Sequence, residues 1–198
     1  MSIHDHRLML WFNFLYNMVA FPFAIYSYQW EFVEFALANK SYLIPLLPVS
    51  GYMYISFAVY FAFRLFSNHV PSVLTAIAFY LNFVWGNLCM IHFPIFMMLV
   101  SGVNIYFSWC IITHGYVTYL SYVIFPKVQK VSQRVIVSLF VAMFIKNYAD
   151  LYLGTLSYME HENLVAFYVP FRIIIFSLQA LGLYLLFTKR EQKSVYLT

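Results

Sequence analysis

The sequence predicts an all-α, polytopic transmembrane helix bundle with six crossings and both termini cytoplasmic. Composition is the first reason: of 198 residues, 64% are apolar and 9% charged. A soluble domain carries roughly a quarter charged residues, because its surface must be wetted. Run length is the second, since apolar residues come in stretches of about 20, enough to cross a ~30 Å hydrocarbon core as helix. The third is where the basic residues fall. Six crossings put Arg7, Arg64, Lys127, Lys130, Arg134, Lys189, Arg190 and Lys193 on one side, with Lys40 alone on the other. Eight against one is a positive-inside bias, and five or seven crossings would spoil the alternation. No connection is long enough to separate two domains, so residues 1–198 read as a single transmembrane domain, with 189–198 its cytoplasmic tail.

Segment one spans about 8–28, after a head holding His4, Asp5, His6 and Arg7. Two histidines around an aspartate fall short of the three or four ligands of a closed metal site, so this head reads as a solvated terminus. A single basic residue precedes the segment and no small-x-small site follows it, so it is expected to stay in the chain. In the first connection Trp30, Val33 and Leu37 repeat at helical spacing while Glu31 and Glu34 take another face. That pattern predicts a short interfacial helix. The sequon Asn39-Lys40-Ser41 lies almost against segment two and is expected to be unused.

Segment two, about 43–66, carries Pro45 and Pro48 in its first turns, where missing amide donors cost least. Pro71 opens segment three, 71–91, and His92-Phe93-Pro94 reads as a turn into segment four. Segment four, 94–125, is overlong: wholly helical it would measure about 48 Å. It either tilts and projects, or breaks near Gly115 with Tyr116, Tyr119 and Tyr122 at the interface. A basic loop precedes segment five, 135–158, and an acidic turn separates that from segment six, 164–188.

Three charges stand where hydrocarbon should reject them: Lys146 and Asp150 in segment five, Arg172 in segment six. Counting inward from the shared turn puts Asp150 and Arg172 eight residues deep on antiparallel neighbours, with Lys146 one turn deeper at i, i+4 spacing to Asp150. A lone charge at mid-bilayer costs about 3 kcal/mol on insertion scales, so the three are expected to face the bundle interior. They are the candidate ligand-binding cluster, Arg172 for an anionic group and Lys146 and Asp150 to tune it. Asn147, Gln179 and Asn104 are the supporting polar residues. The alternative is a self-neutralising clamp between helices.

The remaining chemistry is sparse. Cys89 and Cys110 read as small buried hydrophobes, without CxxC or a disulfide framework. His114 lies four residues from Cys110, but no third group to orient a catalytic pair is evident. His69, His92 and His114 fall at different levels, so no metal site is predicted, and no cofactor motif appears. The scattered basic residues exclude a nucleic-acid footprint. The stretch His114 to Lys130 (HGYVTYLSYVIFPKVQK) resembles a tyrosine-rich segment and basic turn of the fatty-acid elongase family. That family's HxxHH box is missing, the sequence around His92 reading CMIHFPIF, so the resemblance implies no residue role or activity.

Three function classes remain: a protein binding or transporting a small or lipidic anionic ligand, an accessory subunit of a larger membrane complex, and an intramembrane enzyme acting on lipid. The partners expected are the lipid bilayer, such a ligand, and other membrane subunits. Transporters usually betray themselves by inverted repeats or paired broken helices, and neither is evident here.

Overall fold

The computed structural model describes residues 6–67, 69–153 and 162–189. Among them the chain is helical and contains no strand. Six helices of 18 to 25 residues follow one another: α1 Arg7–Tyr26, α3 Val49–Phe66, α4 Ser72–Phe96, α5 Ile105–Ile124, α6 Gln133–Tyr152 and α7 Tyr168–Thr188. Between α1 and α3 lies the short α2, Gln29–Leu37, where the charge and apolar pattern predicted a helix. Its Trp30, Val33 and Leu37 are exposed, as an interfacial helix requires.

Four stretches are long and apolar enough to cross a membrane: Arg7–Leu37, Val49–Phe66, Ser72–Ser101 and Glu162–Thr188. Helices α5 and α6, 20 residues each, carry more polar material, including Arg134, Lys146 and Asp150 on α6. The distribution of side chains suits a hydrocarbon solvent. Phe140, Phe144 and Tyr148 of α6 and Ile173 and Tyr184 of α7 point outward, while Asn13, Asn17, Asn82, Asn147 and Gln179 are buried. In a bilayer the helices gain nothing by hiding apolar surface from lipid and gain most by pairing polar groups inside.

Packing follows small residues. Helix α4 is central and touches α3, α5 and α7, whereas α1 lies against α3 and α6 against α7. At Gly86 of α4, a Cβ would run into the Thr118 hydroxyl of α5 and lie 3.3 Å from Thr118 Cα. Only a glycine lets the two backbones come so close. Beside it, Asn82 donates from Nδ2 to Met53 O and Ser56 Oγ of α3, at 3.2 and 3.1 Å, fixing α3 against α4.

The helix ends alternate. At one end Trp11 of α1 meets Phe66 of α3, ring centroids 5.3 Å apart. Arg64, His69 and Lys127 share a small polar cavity there, and Val131 N–H donates to Lys189 O at 3.0 Å. This basic end therefore gathers the start of α1, the end of α3, the start of α4, the end of α5, the start of α6 and the end of α7. At the opposite end Leu153 packs against Phe35, Leu43 and Leu47.

Several segment boundaries differ from those expected. His92-Phe93-Pro94 is not a turn: α4 continues through Pro94 and ends in a π-helical turn, Met97–Ser101. Pro94 gives up one amide hydrogen bond, which a membrane helix packed among neighbours tolerates. The chain reverses instead at Gly102, with φ +67°, a conformation open to glycine at little cost. Asn104 then starts α5, its Oδ1 accepting from Phe107 N–H at 2.9 Å. The overlong segment four thus resolves into the end of α4 and a 20-residue α5, and α5 runs unbroken through Gly115. Segment two begins as a 3-10 turn, Ser41–Leu46, and α3 starts only after Pro48, because two prolines three apart deny the first turns their donors. Segment five stops as helix at Tyr152, and segment six opens with a 3-10 turn, Glu162–Phe167, before α7. The expected head around His4 and Asp5, the tip of the acidic turn, and the tail beyond Lys189 lie outside the described residues.

Candidate functional site

The charged cluster forms around α6. Lys146 and Asp150 make an ion pair one turn apart, both side chains nearly buried, and Lys146 Nζ lies 5.6 Å from the Trp85 ring centroid of α4. The next residue on that face, Asn147, exchanges two amide hydrogen bonds with Gln179 of α7, at 2.6 and 2.9 Å. This pair fixes the register of the hairpin. Moving three residues along each antiparallel helix sets Asp150 level with Phe176. Arg172 is four residues further on, about 6 Å nearer the hairpin tip. The equal depth expected for Asp150 and Arg172 therefore does not hold: the amide pair sets the two helices four residues away from the counted register. Arg172 lies instead over the Tyr168 ring, 3.6 Å from its centroid, in a cation–π contact. Its Nε–H is buried and, among the described residues, donates to no acceptor. Asn104 is engaged locally as the cap of α5.

A second feature was not foreseen. Between α1, α2, α3, α4 and α5, mainly in the half of the bundle away from the basic end, lies a half-open chamber of about 1200 Å³, along which Phe12, Val19, Phe23 and Trp109 stand exposed. Its walls are mostly aromatic and aliphatic, with Trp30, Trp85 and Trp109 among them, and Phe171 of α7 reaches in beside Arg172. The other half of the bundle is solid: Phe57, Phe79, Tyr80, Val117, Leu120 and Ile124 are each at most 1% exposed.

The polar groups in this wall are organised around His114. Its Nδ1 lies 2.8 Å from Cys110 O, and its Nε2 lies 3.1 Å from Ser50 Oγ. A carbonyl only accepts, so in the neutral ring Nδ1 carries the proton and Nε2 presents its lone pair to the Ser50 hydroxyl. Tyr54 and Phe93 hold the ring edge-on from two sides, at 5.8 and 5.2 Å between centroids. Tyr16 of α1 donates to Thr113 O at 3.3 Å, and Tyr116 to Asn13 Oδ1 at 2.6 Å, pinning α1 to the same stretch of α5.

The orienting group that sequence reasoning could not find for His114 is thus a backbone carbonyl one turn back. Its partner is Ser50 rather than the Cys110 thiol. Nothing in the sequence joins Ser50 to a histidine 64 positions away; the only local signal is a Ser-Gly pair opening an apolar helix. Cys89 and Cys110 are free thiols, half-buried, and both line the chamber. His92 is buried among Phe93, Phe96 and Phe171, and also reaches the wall. Among the described residues no group of three or more His, Cys, Asp or Glu side chains is placed to hold a metal.

Fold and site together define a class, an all-helical bundle of apolar helices around a half-open chamber with a histidine-centred polar patch. Comparison with protein-family models, curated proteins and solved structures finds no match for the chain.

Proposed function

We propose that this is a six-crossing integral membrane protein that binds a long apolar, lipidic ligand inside its bundle. The observation that carries the reading is the chamber: about 1200 Å³, walled by aromatic and aliphatic side chains, and larger than the ~300–1,000 Å³ of ordinary ligand pockets. An acyl chain fits such walls without desolvating any protein charge. Helices α5 and α6, at 20 residues about 30 Å long, match the hydrocarbon core and lie beside the four more apolar helices, which supports six crossings. The basic end, with Arg64, Lys127 and Lys189, would face the cytoplasm together with both termini. The chamber then opens in the outer half of the bilayer.

Within this reading Arg172, Lys146 and Asp150 keep their proposed part. Arg172 follows Phe171 in the chain and holds a buried Nε–H in search of an acceptor, which suits an anionic end on the ligand. Lys146 and Asp150 neutralise each other and fix the wall carrying Trp85. A second reading, an accessory subunit, is favoured by the aromatic outward face of α6, where Phe140, Phe144 and Tyr148 stand exposed.

Native mass spectrometry of the protein in mild detergent tests both. A retained lipid is expected, released when Ala20 of the chamber wall is replaced by Phe. A chain that carries no lipid but a stoichiometric protein partner would sink the binding reading and favour the subunit one.

A further inference from the structure

We infer that Ser50 and His114 form a catalytic dyad that cleaves a carboxylic ester of the apolar chain held in the chamber; this rests on the chamber binding such a chain. Four observations converge. The Ser50 hydroxyl and His114 Nε2 are within hydrogen-bond distance, 3.1 Å. The Cys110 carbonyl holds the ring in the tautomer a general base needs, 2.8 Å from Nδ1. The ring is clamped between Tyr54 and Phe93, so it is already oriented. Both side chains line the chamber rather than solid core.

Ser50 is also the second residue of α3. The first amides of a helix have no carbonyl one turn back, so that of Gly51 lies outside the helix ladder, whereas the Ser50 amide and hydroxyl both face the hydroxyl of Tyr28. The Gly51 amide and the Tyr28 hydroxyl supply donors where charge would develop on an attacked carbonyl oxygen, and the positive end of α3 adds to them.

The reaction balances with water as co-reactant. Ser50 Oγ bonds to the ester carbonyl carbon while its proton passes to His114 Nε2. The C–O bond to the alcohol breaks, and the departing oxygen takes that proton from Nε2. Water then adds to the acyl carbon, giving a proton to Nε2. The bond to Ser50 breaks, and the proton returns to Oγ. One ester and one water become one acid and one alcohol. Cys110 contributes only its backbone carbonyl, and its thiol has no part in the sequence. The chamber reaches Gln29, Trp30 and Glu31 of α2, which gives the alcohol and the water a polar route.

The test uses the full-length protein in mild detergent and a fluorophosphonate with a long alkyl chain. The expected result is a single phosphonyl adduct on Ser50, located by peptide mass spectrometry. His114→Gln should slow its formation ~100-fold or more, the scale of a lost general base. A fluorogenic long-chain ester should be hydrolysed by the native chain and not by Ser50→Ala. An adduct on any other residue, or none, overturns the dyad whether or not the variants fold, because the native chain alone decides it. A brominated long-chain fatty acid, which quenches tryptophans in the chamber wall, separates the two failures. Quenching without an adduct leaves the binding reading standing and removes the dyad; neither quenching nor an adduct removes both.

Discussion

Asn147 of α6 and Gln179 of α7 face each other through two amide hydrogen bonds, and that exchange sets the register of the hairpin. Both side chains are buried, and each satisfies the other's donor and acceptor. Replacing either by Leu leaves a buried amide without its partner, whereas replacing both removes the need. Each single substitution should cost about 1–2 kcal/mol, and the double substitution less than the two combined. A double-mutant cycle from unfolding in mixed micelles measures this, and additive losses would show that the pair is not a coupled unit.

The Lys146–Asp150 ion pair sits beside Trp85 in the bundle interior. Asp150→Asn strands a buried ammonium and should destabilise by about 3 kcal/mol or more, while Lys146→Met with Asp150→Leu should recover most of the loss. Thermal denaturation followed by size-exclusion chromatography reads the difference. If the double variant folds but no longer retains ligand, the pair serves the site; if it folds and retains ligand, the pair is a clamp.

Arg172→Ala removes the guanidinium over Tyr168 without disturbing the amide pair that holds α6 on α7. Its expected effect is on the ligand and not on assembly: the protein should elute unchanged while anionic lipids are lost selectively over neutral ones. Lipid extraction and mass spectrometry distinguish these. Equal loss of both classes would count against a charge-specific role.

At Gly86 α4 and α5 approach too closely for a side chain, with Thr118 against the glycine. Gly86→Ala should destabilise by about 1–3 kcal/mol through overpacking, and Thr118→Ala in the same chain should relieve part of that. Absence of any effect would mean that the two helices sit further apart than described.

Topology has its own test. In a background with Cys89 and Cys110 replaced by Ala, Lys40→Cys should react with an impermeant maleimide from outside intact cells. Lys130→Cys should react only after permeabilisation. The reverse pattern would invert the orientation read from the basic residues.

Much of this architecture is legible in the sequence. Apolar runs locate the helices, and the placement of Arg64, Lys127 and Lys189 anticipates one basic end. Pro94 misled the reading because proline is a helix breaker in water, while inside a packed membrane bundle α4 accommodates it and yields at Gly102 instead. Asp150 and Arg172 were set level by counting residues as though both segments were α-helical to the turn. The Asn147–Gln179 amide pair, which no count of residues reveals, sets the register four residues away from that expectation. The chamber and the contact between Ser50 and His114 were invisible for a different reason. They depend on how α1, α3, α4 and α5 meet, and no local pattern encodes a contact across 64 positions.

The chamber occupies one half of the bundle, and Phe57, Phe79, Tyr80 and Leu120 fill the other. It is therefore a half-open pouch, closed toward the basic end by that packing and open along α1 and α5, where Phe12, Val19 and Trp109 stand exposed. An apolar ligand of the kind proposed would enter and leave along that open side. Under the proposed membrane reading, such a shape would suit storing, presenting or altering a molecule within one leaflet. To carry that molecule across, the aromatic floor itself would have to come apart.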